Sequence, residues 1–215
     1  MLTDFLTVAV LALVGTRLVS VATRTARTAA MRQRVVTIVR GLRPHHFLLV
    51  PLVLTLVISV ATLLLEVPGL SFGWWTAIGG QGNPVVGVTD KTSGTPLEWI
   101  VPMLFVLVLI PVVPLFAERE EVMFRQGAEH WSWPRRAYKC VQFGLVHALI
   151  GIPIGVALAL SVGGAYFMTA YVRAYRRRGS EEALLESTRC HAAYNLAIAV
   201  LLLVYLVAVA VGAAT

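Results

Sequence analysis

The chain has 215 residues, of which 58% are hydrophobic and only 13% charged, about half the charge of an ordinary soluble domain. A disordered chain is excluded, because low hydrophobicity is its signature, and two cysteines exclude a disulfide scaffold. Lysine and arginine outnumber aspartate and glutamate 18 to 11, for a net charge of +7, so the placement of the cations is the first question.

Taken from the N-terminus, the apolar stretches that suit a bilayer crossing are these. Residues 2–21 carry only Asp4 and Arg17, and residues 47–67 carry only Glu66. Residues 100–117 carry no charge and three prolines. A long apolar run from Cys140 to Val172 is broken by Gly151-Ile152-Pro153, which divides it into a short span at 141–150 and a longer one at 152–172. Residues 191–213 form the last stretch. The expected fold is all-α: a polytopic transmembrane helical bundle of about six spans in a single integral membrane domain, 1–215. An irregular extracytoplasmic loop is expected at 68–98.

The cations set the sidedness. Seven arginines lie from Arg17 to Arg43, five basic residues from Arg119 to Lys139 and five from Arg173 to Arg189, with only Lys91 between Val67 and Ile100. The positive-inside rule puts the three basic segments in the cytoplasm and the Lys91 loop outside. Two crossings must then separate Arg119–Lys139 from Arg173–Arg189, which favours six spans with both termini outside. Trp74, Trp75 and Trp99 fall at the outer boundary and Trp131 and Trp133 at the inner one, as interfacial belts require. Nucleic-acid binding, the natural reading of such a charge in a soluble protein, gives way to attraction for anionic lipid headgroups.

Ionisable groups within apolar spans are expensive and point to function. Glu120-Glu121-Val122-Met123-Phe124-Arg125 lies where the third span reaches the cytoplasmic side. Glu121 and Arg125, four apart, share a helix face and can pair, which leaves the Glu120 carboxylate for another task. Phe143-Gly144-Leu145-Val146-His147 places His147 about eight residues into an apolar span, roughly 12 Å at helical rise. His191 and Asn195, four apart at the cytoplasmic start of the last span, face one way. All three clusters fall toward the cytoplasm, so they can converge on one cavity.

These three motifs, Glu-Glu-x-x-x-Arg, Phe-x-x-x-His and His-x-x-x-Asn, follow one another on successive spans. In that order they resemble the CPBP family, the CAAX proteases and bacteriocin-processing enzymes, which includes the type II CAAX prenyl endopeptidases. The resemblance covers about 111–203, and the Phe124-Arg125 pair strengthens it. Gln126 departs from it, since family members often have glycine directly after the arginine. The resemblance implies an intramembrane endopeptidase of the cell membrane, working on peptides or lipidated peptides near the cytoplasmic face. Glu120 would activate water with His147 assisting, Glu121 and Arg125 would hold the motif helix in shape, and His191 and Asn195 would polarise the scissile carbonyl.

Two histidines and a glutamate make an adequate zinc set with one open position, but the His-Glu-x-x-His motif of many zinc proteases is absent. The cofactor is therefore left unknown, with a divalent metal such as zinc as the candidate and no metal residue assigned. The alternative is a catalytically silent membrane subunit or scaffold with membrane-protein partners, in which the same polar residues tie helices together. A cavity bordered by Glu120 and His147 favours the enzyme, whereas dry, mutually satisfied packing favours the subunit.

Overall fold

The computed structural model describes residues 2–77 and 94–212. The middle of the expected outer loop, with Lys91, lies outside the described residues. Among the described residues there are helices and no strands. In chain order they are α1 (Leu2–Arg27), α2 (Ala29–Arg40), α3 (Pro44–Leu48), α4 (Val50–Leu65), α5 (Trp74–Ala77), α6 (Leu97–Leu109), α7 (Val113–Phe124), α8 (Trp133–Val146) and α9 (Ile154–Gly212). In hydrocarbon every backbone polar group must bond internally, and helices achieve this within one segment.

Among the described residues, four helical segments are long and apolar enough to cross a membrane: Val8–Arg27, Pro44–Leu65, Leu97–His130 and Ile154–Gly212. Large apolar side chains face outward along them, including Leu63 at 70% exposure and Val204 at 63%, as expected where lipid is the solvent. The chain therefore has the character of an integral membrane protein. Prolines shape the third segment. Pro111 and Pro114 lack the amide that continues an α-helix, and the chain passes from α6 to α7 through a 3-10 turn at Ile110–Val112.

Gly179 breaks α9 with φ 82° and ψ −177°, a conformation open to glycine and strained for any side chain. The chain folds back on itself there. The Ser187 hydroxyl oxygen lies 3.0 Å from the Phe167 carbonyl oxygen, and the rings of Phe167 and His191 stack 4.3 Å apart. Twenty residues of unbroken helix would hold Ser187 about 30 Å from Phe167. The last helical arm thus runs 180–212, starting well before the expected 191. Arg178, Glu182, Glu186 and Arg189 pair with one another across the bend, which lets this charged stretch stay helical.

A second hairpin joins α8 to α9 through a turn at Gly151. The two helices touch backbone to backbone at Gly144, where an added Cβ would lie 2.3 Å from the Ala157 carbonyl oxygen. Gly144→Val is accordingly expected to force the pair apart and to destabilise the protein by about 1–3 kcal/mol, read as a lowered melting temperature in detergent. In α4, Val50, Val53, Val57 and Ala61 repeat at helical spacing on one face, and that face joins one buried cluster with Phe143, Ala159, Phe167 and Tyr194.

The two ends of the bundle differ. At one, the amides of Ile154 and Gly155 donate to the carbonyls of Phe72 and Leu70 at 2.9 and 2.7 Å, so the start of the long loop docks on the Gly151 turn. At the other, residues of all three basic segments meet: Arg34 pairs with Glu118, Gly41 packs against Arg189, and Trp133 and Arg136 share a pocket with Arg173, Arg176 and Arg177.

Candidate active site

The centre of the site is a fully buried carboxylate. Glu121, on α7, accepts from Arg125 Nη1 at 3.0 Å and from His191 Nδ1 at 2.9 Å, and Ser187 Oγ donates to its second oxygen. Arg125 is also fully buried. Its Nη2 donates to the Gly164 carbonyl at 3.3 Å, and its guanidinium carbon stands 4.2 Å from the centre of the Phe143 ring. Buried charges persist only where they are paired and hydrogen-bonded, and an aromatic face adds a further attraction for the cation. This network joins α7, α8 and both arms of α9.

His191 is oriented from two sides. Phe167 stacks on its ring and Phe143 meets it edge-on at 5.5 Å. An ionised carboxylate can only accept, so Nδ1 carries the proton given to Glu121. That turns Nε2 toward Glu120, whose Oε2 lies 3.6 Å away. Glu120 Oε2 is itself buried and makes no hydrogen bond. The divergence of neighbouring side chains on one helix produces this split: Glu121 points into the network and Glu120 points past it.

His147 ends α8 and opens a 3-10 turn, His147–Ile150. Its Nδ1 lies 2.8 Å from the Phe143 carbonyl oxygen. A carbonyl only accepts, so Nδ1 is the donor and Nε2 keeps a lone pair. Glu120, His147 and Asn195 line one cavity of about 710 Å³, whose other walls are mostly apolar, among them Leu13, Phe105 and Leu202. Such a cavity, apolar with a few convergent polar groups, is the usual form of a small-ligand or substrate site.

All six residues singled out from the motifs therefore belong to one locality: Glu121, Arg125 and His191 in the buried network, and Glu120, His147 and Asn195 at the cavity. Their positions along the helices differ from the expectation. His147 follows the last residue of α8, and because α8 starts at Trp133 it stands further along its helix than the eight residues expected. His191 stands about 18 Å along its arm from the bend at Gly179, not at the arm's start. Two residues were missed. Ser187 lies four before His191 and so shares its helix face, but it sits in the basic segment before the expected last span. Arg17, on α1, lines the cavity and was counted only as a topological charge.

Glu120, His147 and His191 do not bring three ligand atoms within 4.8 Å of one another, as a ready zinc set would. Cys140 and Cys190 are buried free thiols. No family model, curated protein or solved structure matches the chain.

Proposed function

We propose that the chain is an intramembrane endopeptidase of the kind its motifs resemble, hydrolysing peptide bonds with water activated by Glu120. The observation that carries this reading is the unpartnered Glu120 Oε2, 3.6 Å from His191 Nε2, at the edge of a cavity that His147 and Asn195 also line. A positioned carboxylate takes a proton from water as the oxygen attacks the carbonyl carbon. Asn195 offers an amide donor to the oxyanion, and His191 offers Nε2–H when its ring carries both protons. Donors fixed in advance at a water-poor site stabilise that charge strongly. The proton held by Glu120, or relayed through the free Nε2 of His147, then passes to the leaving amine as the C–N bond breaks.

The apolar walls suit a peptide with hydrophobic side chains or a lipidated tail. On this reading the six apolar stretches each cross the membrane, the arginine-rich end faces the cytoplasm and both termini lie outside. The pocket of about 420 Å³ lined by Trp133, Arg136, Arg173, Arg176 and Arg177 then meets the inner leaflet, where anionic headgroups are attracted.

The test is peptide hydrolysis by the purified protein in liposomes. His147→Ala and Asn195→Ala are each expected to lower kcat by about 10²–10³-fold with little change in KM, the signature of groups that act in the transition state. Intact protein that cleaves no peptide or lipidated peptide would instead favour a silent membrane subunit.

A further inference from the structure

Away from the cavity, at the arginine-rich end, α3 and the second arm of α9 bring together three side chains suited to a metal. The ligand atoms of His45, His46 and Glu186 all lie within 4.8 Å of one another. His45 Nε2 is 3.3 Å and His46 Nε2 is 3.4 Å from the same oxygen, Glu186 Oε1. Bonds of about 2.0–2.1 Å at tetrahedral angles put neighbouring ligand atoms about 3.3 Å apart, so both distances fit a shared tetrahedral ion. His46 is 1% exposed, and its Nε2 makes no hydrogen bond. A buried, unpartnered imidazole nitrogen aimed at a carboxylate has unused bonding capacity.

The surroundings support the ligands. Glu186 divides its carboxylate: Oε2 faces Arg178 at 3.2 Å and Arg189 at 3.8 Å, while Oε1 faces the histidines. The arginines thereby fix the orientation of the carboxylate from outside the ligand set. His46 Nδ1 lies near both backbone groups of Arg43, 2.8 Å from the amide nitrogen and 3.2 Å from the carbonyl oxygen. When Nδ1 accepts from the amide, Nε2 carries the ring proton. When Nδ1 donates to the carbonyl, Nε2 has a free lone pair, the form that metal-bound histidines take. His45 is well exposed, so the fourth position opens to solvent.

We propose that His45, His46 and Glu186 bind a divalent cation of the zinc class at a site separate from the cavity, clamping the α3 turn to the second arm of α9. The proposal stands or falls independently of peptidase activity. The full chain, without a histidine tag, is stripped with a chelator in detergent and titrated with Zn²⁺, and bound metal is measured after desalting. Stoichiometric zinc is expected, together with a raised melting temperature. His45→Ala, at an exposed position, is expected to weaken binding by more than the about 10–100-fold that loss of an outer-shell partner costs, and to abolish the thermal shift. His46→Gln is expected to do the same, and Glu120→Gln to bind as the intact protein does. Zinc absent from the intact protein would overturn the proposal. So would zinc retained by both histidine variants, or zinc lost only in Glu120→Gln, which would assign the metal to the cavity.

Discussion

Glu120→Gln is expected to lower kcat/KM for peptide hydrolysis by about 10²–10⁴-fold, the range for removal of a general base, with the melting temperature unchanged. The amide keeps the size of the carboxylate but cannot take a proton from water. Stability is spared because Glu120 makes no hydrogen bond to the protein through Oε2 and stands only 31% exposed at the cavity edge. Parallel hydrolysis and thermal unfolding of the two proteins in detergent separate chemistry from folding. Activity retained in the glutamine variant would remove Glu120 as the base.

Glu121→Ala is expected to have the opposite profile, with stability lost first. It strands the Arg125 guanidinium and the His191 Nδ1–H without their common acceptor, and leaves the Ser187 hydroxyl only the Phe167 carbonyl. Removing one partner of a buried ion pair costs about 3–5 kcal/mol, because a charge is left uncompensated. Removing both charges is milder, so Glu121→Gln with Arg125→Met is expected to be more stable than Arg125→Met alone. Groups in one network are non-additive in this way. Unfolding measured for the single and double variants checks it, and simple additivity would mean that the network is not a unit.

What could be read without coordinates follows from the range of the forces involved. The apolar stretches were legible because a bilayer leaves helix as the only simple way to satisfy a backbone. The pairing of Glu121 with Arg125 was legible because both lie on one helix, four residues apart. The convergence of Glu120, His147 and Asn195 on a cavity was an expectation from motif order, and it depends on packing that no local pattern encodes. Gly144 against Ala157, and Phe143 between Arg125 and His191, are such contacts. The charged stretch before His191 falls outside the expected spans for a related reason. Its glutamates and arginines look like solvent-facing residues until the bend at Gly179 lets them pair with one another. Ser187 was hidden in it.

Connections between membrane helices usually tolerate insertions and deletions, because little depends on their length. The bend at Gly179 has no such freedom. One residue added between it and Ser187 would rotate everything that follows by about 100°, carrying His191 off the carboxylate that orients it and turning Asn195 from the cavity toward lipid. The placement of His191 and Asn195 is thus metered by the number of residues in the charged stretch between Gly179 and Ser187.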